Sequence, residues 1–354
     1  MGVLGRLVAY LFRWFGHGAE TGLYKSGSPD RHSPVLVTCN FSLTVKRLLK
    51  AVEGLDVWVL AANSEGINVW CAAVGRSFTH NRVIDAVKTS GLAEEVEHRE
   101  LVLPLLSAAG MDRKAIKDET GFHARFGPVD AADIPAYLAA GKKKTERMCR
   151  TRFDLRHRAD MFLSMNFPVY LVISVVLLIF FREYFLGFTA LFWGAAAVLY
   201  AGINIIPGRT GWGKAVVAWA GLVVVWITAD WLLLQDPLRH WGWQVAGLGI
   251  FLAAGLDLAG TASGRKSDPM YMLRKLGINK LPGIMKESQS GFIHLDRDRC
   301  AGCRTCFEVC PLGVYGDLDD EKKITFHDRE ACFSCGACVM QCPEGALILT
   351  SQKL

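Results

Sequence analysis

Between residues 21 and 150, short apolar runs alternate with stretches in which apolar positions recur at helical spacing. The runs at 35–38, 57–61, 67–70, 100–106 and 122–126 predict strands. The amphipathic stretches at 43–52, 79–89, 112–119 and 134–140 predict helices. This alternation predicts a Rossmann-like α/β layer over 19–150. Ile67, Val69 and Trp70 read as a short buried strand that delivers Cys71. Ala72, Ala73 and Gly75 then let the chain turn closely before a helical pattern resumes near Phe78. Ligands of open α/β sheets bind at such strand-to-helix corners, so Cys71 is a candidate functional thiol.

The pattern outside this layer is different. Residues 1–18 place Leu4, Leu7, Val8, Leu11, Phe12, Trp14 and Phe15 on one helical face, with Arg6 and Arg13 opposite, which predicts an interfacial amphipathic helix. Four apolar stretches at 162–181, 185–206, 215–234 and 241–260 each approach the roughly 20 residues that cross a bilayer. They predict a four-helix transmembrane anchor over 151–263. The heavier Lys and Arg clusters fall on alternate sides of these stretches, so both soluble parts are expected on the cytoplasmic side of the cell (inner) membrane. Asn204, Asp230 and Asp257 are polar residues in or near these stretches. Intramembrane carboxylates are functional candidates, but Asp230 falls near the outer face and Asp257 near the inner one, so an interfacial location explains both about as well and transport is the minor alternative. A polar linker is expected at 264–290.

Composition supports this division. The chain has 354 residues, 51% of them hydrophobic, and a mean hydropathy of +0.23, too apolar for a wholly soluble protein. A net charge of +6 concentrated beside the apolar stretches suits membrane topology, and no nucleic-acid motif is present. Of eleven cysteines, eight fall in two repeats within 291–354: Cys300-x2-Cys303-x2-Cys306-x3-Cys310-Pro311 and Cys332-x2-Cys335-x2-Cys338-x3-Cys342-Pro343. In such runs three thiolates wrap one cubane and the fourth crosses to the other. Cys300, Cys303, Cys306 and Cys342 are therefore expected to hold one [4Fe–4S] cluster, and Cys332, Cys335, Cys338 and Cys310 the second. Zinc spacing is not matched. The segment resembles a bacterial two-cluster α+β ferredoxin, which implies a reducing compartment.

No Gly-x-Gly-x-x-Gly follows any predicted strand, so a dinucleotide is not indicated. The Asp-x-His-x-x-Gly signature of His-on cobalamin proteins is also absent; Asp30 and His32 begin it, but Val35 stands at the glycine position. The run Asn68-Val69-Trp70-Cys71-Ala72-Ala73 resembles the cap-helix motif of the mercury-methylation corrinoid proteins, and of their relative, the large subunit of the acetyl-CoA-pathway corrinoid iron–sulfur protein. The similarity runs from about 21 to 148 and includes Thr21 to Tyr24 and residues 131–141. It implies a cobalamin-type corrinoid bound over residues 68–73, with Cys71 as the lower ligand to cobalt. The C-terminal segment looks like a fusion of the ferredoxin partner of that protein.

These resemblances imply a membrane-anchored, corrinoid-dependent methyltransferase whose ferredoxin returns cobalt to Co(I). The implied partners are a low-potential electron donor and a methyl-folate or methylpterin donor or its methyltransferase. Two alternatives stand beside it: a corrinoid methyl carrier for a non-mercury acceptor in one-carbon metabolism, and a membrane electron-transfer ferredoxin without corrinoid. Val74-Gly75-Arg76 replaces the Gly-Lys-Gly with which the family continues, and no thiol follows Cys342. Of the two remaining cysteines, Cys39 is read as a small buried thiol and Cys149 as facing cytoplasm without a role. Thiolates capture soft metals, so weak or absent mercury methylation and a different native acceptor are expected.

Overall fold

The computed structural model describes residues 3–12, 17–152, 154–207, 211–234, 241–262, 292–332 and 334–350. The expected linker at 264–290 lies outside them. The chain forms two compact units: residues 15–151 with 280–354, and residues 1–14 with 152–279.

The first unit is built on a five-stranded sheet in the order β1-β3-β2-β4-β5, with β1 Gly22–Ser26, β2 Val35–Cys39, β3 Val57–Ala62, β4 Glu100–Leu103 and β5 His123–Phe126. Strands β2 to β5 run parallel, and β1 is antiparallel to β3. Every residue of β2 and β3 is buried, as expected where helices cover both faces of a parallel sheet. The helices Ser42–Ala51, His80–Thr89, Arg113–Thr120 and Ile134–Ala139 form where helical periodicity predicts them.

Two elements differ from the sequence reading. Residues 67–70 are not a strand; Val69–Val74 is a helix. Both neighbours of β3 are already taken by β1 and β2. The chain leaves the sheet through Glu65 and Gly66, both in the left-handed region with φ of 60° and 69°. Asn68 then caps the new helix by accepting the Cys71 N–H. The edge strand β1 was not predicted because Gly-Leu-Tyr-Lys-Ser lacks an apolar run, its residues being mostly half-buried.

Residues 292–350 of the same unit form two antiparallel pairs, β6 Phe292–Leu295 with β9 Leu347–Thr350 and β7 Tyr315–Leu318 with β8 Ile324–Phe326. Between them lie two five-residue helices, Thr305–Val309 and Ala337–Gln341, at equivalent places in the cysteine repeat. Val309 and Ala337 join the same apolar core as Val35, Leu105 and Met111. This is a mixed α/β sheet domain packed on a ferredoxin-type one.

The second unit contains the helices Val3–Leu11, Leu155–Phe180, Phe185–Gly202, Gly211–Leu234 and Trp241–Ala262. The N-terminal helix is shorter than the sequence pattern suggests. Among the described residues, three stretches are long and apolar enough to cross a membrane: Leu155–Phe180, Arg182–Gly202 and Gly213–Leu232. The fourth expected span, 241–260, falls on the helix Trp241–Ala262, whose described side chains include the apolar stretch Trp241–Leu252. Val172, Ile179, Leu186 and Val224 on these helices are exposed, an outer surface suited to lipid. Asp230 is buried, and so is Arg158, which donates to the carbonyls of Tyr200 and Ala201.

Candidate functional site: a capped thiol beside two cysteine cavities

Cys71 is held by its helix from two sides. Val69, Ala72 and Ala73 are buried and fix the helix in the core, while Trp70 and Cys71 are partly buried. At the N-terminus, Asn68 Oδ1 accepts the Cys71 backbone N–H at 3.0 Å, and its Nδ2 donates to Cys71 Sγ at 3.4 Å. Burial pushes the Cys71 thiol above its ordinary pKa, and the Asn68 contact works against that rise. A free Cys71 is thus a protonated thiol, and binding a metal would displace the proton.

The backbone around this helix is tied to the C-terminal ends of the parallel strands. Asn40, just past β2, accepts three hydrogen bonds through Oδ1, from Ser64 N at 2.8 Å, Ser64 Oγ at 3.0 Å and Gly66 N at 3.1 Å, and donates through Nδ2 to Ala19 O at 3.2 Å. A Cβ on Gly66 would lie 2.6 Å from Gly18 N, so the loop leading to Cys71 admits no side chain there. On the other side, a Cβ on Gly110 would lie 2.5 Å from Phe78 O and 3.3 Å from Ala73 O, so the loop after β4 packs directly on the backbone that closes the Cys71 helix. Asn40 carries no sequence signal of this role; a polar residue after a strand is common.

The eight repeat cysteines separate into two cavities. Cys300, Cys303, Cys306 and Cys342 line one; Cys310, Cys332, Cys335 and Cys338 line the other. The fourth cysteine of each run thus lies with the other run's first three, the exchange the spacing predicts. All eleven cysteines are free thiols. Among the described residues, no His, Cys, Asp and Glu group is gathered tightly enough for a single metal ion. Two rings of four thiols around separate cavities fit a larger polynuclear cluster. Ala346 N–H donates to Cys342 Sγ at 3.3 Å and Ser334 N–H to Cys332 Sγ at 3.4 Å, bonds that stabilise thiolate ligands. Burial pushes both Cys306 and Cys335 up to about 12, a cost that metal ligation offsets.

The second cavity touches the α/β layer. Trp70, next to Cys71, forms part of its wall. Polar contacts fix this docking. Gln341 Nε2 donates to Ala108 O at 3.0 Å and Met111 O at 2.6 Å, and its Oε1 accepts from Arg113 Nε at 3.0 Å. Arg150 Nη1 donates to Phe307 O at 3.1 Å and Cys310 O at 3.0 Å, with the guanidinium 4.4 Å from the Phe307 ring. Cys39 is fully buried in the sheet core, as expected of it, whereas Cys149 is also buried, against the exposed position expected. Cys149 packs in the same apolar cluster as Val309.

A thiol-bearing helix on an open α/β sheet is thus packed on a ferredoxin-type segment with two four-cysteine cavities. The separate parts have separate relatives. A family model of the CO dehydrogenase/acetyl-CoA synthase delta subunit matches residues 17–138, and a 4Fe-4S dicluster domain model matches residues 299–347. The acetyl-CoA decarbonylase/synthase complex subunit gamma of Methanopyrus kandleri is 36% identical over 121 residues, covering 34% of this chain and 26% of that protein. A gamma 2 subunit from Methanosarcina mazei is 37% identical over 123 residues, with the same 34% and 26% coverage. In Archaeoglobus fulgidus the gamma subunit is 35% identical over 121 residues, 34% of this chain and 25% of the relative. The chain thus spans about a quarter of the length of these relatives.

Proposed function

We propose that this chain is a corrinoid-dependent methyl carrier and methyltransferase of one-carbon metabolism, anchored in the cell (inner) membrane, with its cobalt-reducing ferredoxin in the same polypeptide. The observation that carries this reading is the Asn68–Ala73 motif on a capped helix, with the Cys71 thiol partly buried beside Asn68, inside the segment that matches the delta-subunit model. Cys71 would hold the cobalt of a corrinoid bound at the Asn68–Ala73 motif. Cys300, Cys303, Cys306 and Cys342 would ligate one [4Fe–4S] cluster; Cys310, Cys332, Cys335 and Cys338 the other. A bound corrinoid supplies a cobalt that accepts and gives up a methyl group and must be kept strongly reduced to do so. The protein's part is to orient the thiol through Asn68, to fix the helix by burying Val69, Ala72 and Ala73, and to hold the electron source against it through Gln341 and Arg150.

Tethering both centres in one unit replaces a diffusive encounter by a fixed one. The apolar helices of the second unit would anchor it in the bilayer with the soluble unit in the cytoplasm. A methyl-folate or methylpterin methyltransferase and a low-potential electron donor would be the partners. A second reading, transfer to Hg(II), rests on the likeness of residues 68–73 and of the fusion to the mercury-methylation pair. Against it, Cys39 and Cys149 are buried, so outside the proposed ligand sets no accessible thiol pair is left to capture a soft metal. Anaerobic reconstitution with iron, sulfide and hydroxocobalamin tests the proposal. Retained cobalt with a spectrum changed by Cys71→Ala is expected; iron without cobalt would instead leave a membrane electron-transfer ferredoxin. Robust methylmercury formation by the unmodified chain would favour the second reading.

A further inference from the structure

We propose that the two cysteine cavities are ordered: the electron enters at the cluster of Cys300, Cys303, Cys306 and Cys342 and leaves for the corrinoid from the cluster of Cys310, Cys332, Cys335 and Cys338, with Trp70 between. This rests on the corrinoid reading above and adds a direction to it. The first observation is the wall that the second cavity shares with the α/β layer. Trp70 lines that cavity and is absent from the first. Successive helical residues project about 100° apart, so the short helix Val69–Val74 can offer the indole to the cysteine cavity and the neighbouring Cys71 thiol to a different neighbour. Cys335 and Cys338 also pack against the core that holds Val69 and Ala72.

The docking is fixed on this side too. Arg150 binds the carbonyl of Cys310, and Gln341 binds the loop after β4, which itself packs on the Cys71 helix through Gly110. Of the eight repeat thiols only Cys303, in the first cavity, is exposed, so that cavity is the one an external donor can approach.

A second observation sets the sense of flow. Tyr315 lines the second cavity and is 3% exposed, with its buried hydroxyl against the Cys338 thiol. A buried hydroxyl in this wall can donate to sulfur of the second cluster. Hydrogen bonds to cluster sulfur raise the reduction potential, which biases the electron toward the second cluster, next to Trp70. The step balances as a one-electron transfer: the reduced second cluster is oxidised by one electron and Co(II) is reduced to Co(I), with no bond or proton moved. A low-potential one-electron donor refills the first cluster, which refills the second.

The test uses the full chain reconstituted with iron, sulfide and hydroxocobalamin, followed by electron paramagnetic resonance. With clusters reduced and cobalt as Co(II), spin–spin broadening of the cobalt signal is expected in the parent and in Cys303→Ala, and is lost in Cys335→Ala. Broadening lost in Cys303→Ala but kept in Cys335→Ala overturns the order. Two gentler variants keep the test open if a ligand change unfolds the segment. Tyr315→Phe should move the midpoint of one cluster to more negative potential and leave the other in place; two unchanged midpoints overturn the role of the hydroxyl. Trp70→Leu, at equal iron and cobalt content, should weaken the broadening and slow cobalt reduction at least tenfold, and an unchanged rate removes Trp70 from the route. A parent that binds iron but no cobalt fails the corrinoid reading and the order with it, whereas bound cobalt broadened by the first cluster alone overturns only the order.

Discussion

Gln341→Leu isolates the docking of the ferredoxin segment on the α/β layer. Leucine has nearly the volume of glutamine, so packing is kept while three hydrogen bonds are lost, two to the carbonyls of Ala108 and Met111 and one from Arg113. Gln341 is 6% exposed, and Ala108 and Met111 are buried. A buried polar group left unpaired costs about 1–3 kcal/mol. Arg113 can turn toward water, so the two carbonyls dominate, and partial relaxation leaves about 2–4 kcal/mol. Global unfolding is a poor readout for a chain with two compact units. Hydrogen exchange reports local opening directly. At about 1.4 kcal/mol for each factor of ten, amides around 108–116 and 337–342 should exchange roughly 30- to 700-fold faster, with strands β2 and β3 unchanged. Gln341→Glu should behave like the leucine variant, because a carboxylate cannot donate to carbonyls even though it still accepts from Arg113. An acceleration below about threefold in both variants, on the scale where tenfold is 1.4 kcal/mol, would refute the view that this side chain holds the two segments together.

Four further outcomes are expected. Asn68→Ala removes the cap of a six-residue helix and should cost about 1 kcal/mol, seen as several-fold faster exchange of the amides of residues 71–75 with iron content unchanged. Gly110→Ala drives a methyl group into the Phe78 carbonyl and should destabilise the Cys71 helix by about 1–3 kcal/mol, read in the same experiment, and cobalt binding should fall. Cys303→Ala should lower bound iron toward half of the parent value by metal analysis while the spectrum of bound corrinoid is kept. For pH, the Lys142 hydrogen bond holds the Glu100 carboxyl below its ordinary range, with burial opposing. Its stabilisation is therefore present above the ordinary carboxylate pKa and is lost as pH falls through the lowered one. Glu100 is largely solvated, so Glu100→Gln should cost under about 1 kcal/mol near pH 7 and nothing in strong acid, measured as exchange of β4 amides.

The parts of this chain that sequence exposes are those where one physical requirement acts along a contiguous stretch. Val35–Cys39 and Val57–Ala62 are legible because a parallel strand buried on both faces must be apolar at every position. The cysteine exchange is legible because cubane geometry constrains spacing. Residues 67–70 mislead because β-branched and aromatic residues favour strands locally, while the decision is made by Asn68 as a cap and by a sheet with no free edge beside β3. Gln341 and Tyr315 are invisible for another reason. Their partners, Ala108 and Met111 for one and the thiols of both repeats for the other, are brought to them only by the tertiary fold.

The shared core also bears on how the chain is made. Val309 and Ala337 complete an apolar cluster begun by Val35, Leu105 and Met111, yet residues 152–279 are synthesised in between. At about 5–20 residues per second the ribosome needs roughly 6–26 s to cross that stretch. For that interval the α/β layer has its sheet but not its cover, and the apolar surface that later receives the iron–sulfur segment faces water. A nascent chain in this state is a target for chaperones and for aggregation. Expression of residues 1–150 alone should therefore give insoluble protein, and co-expression of residues 280–354 as a separate chain should rescue it.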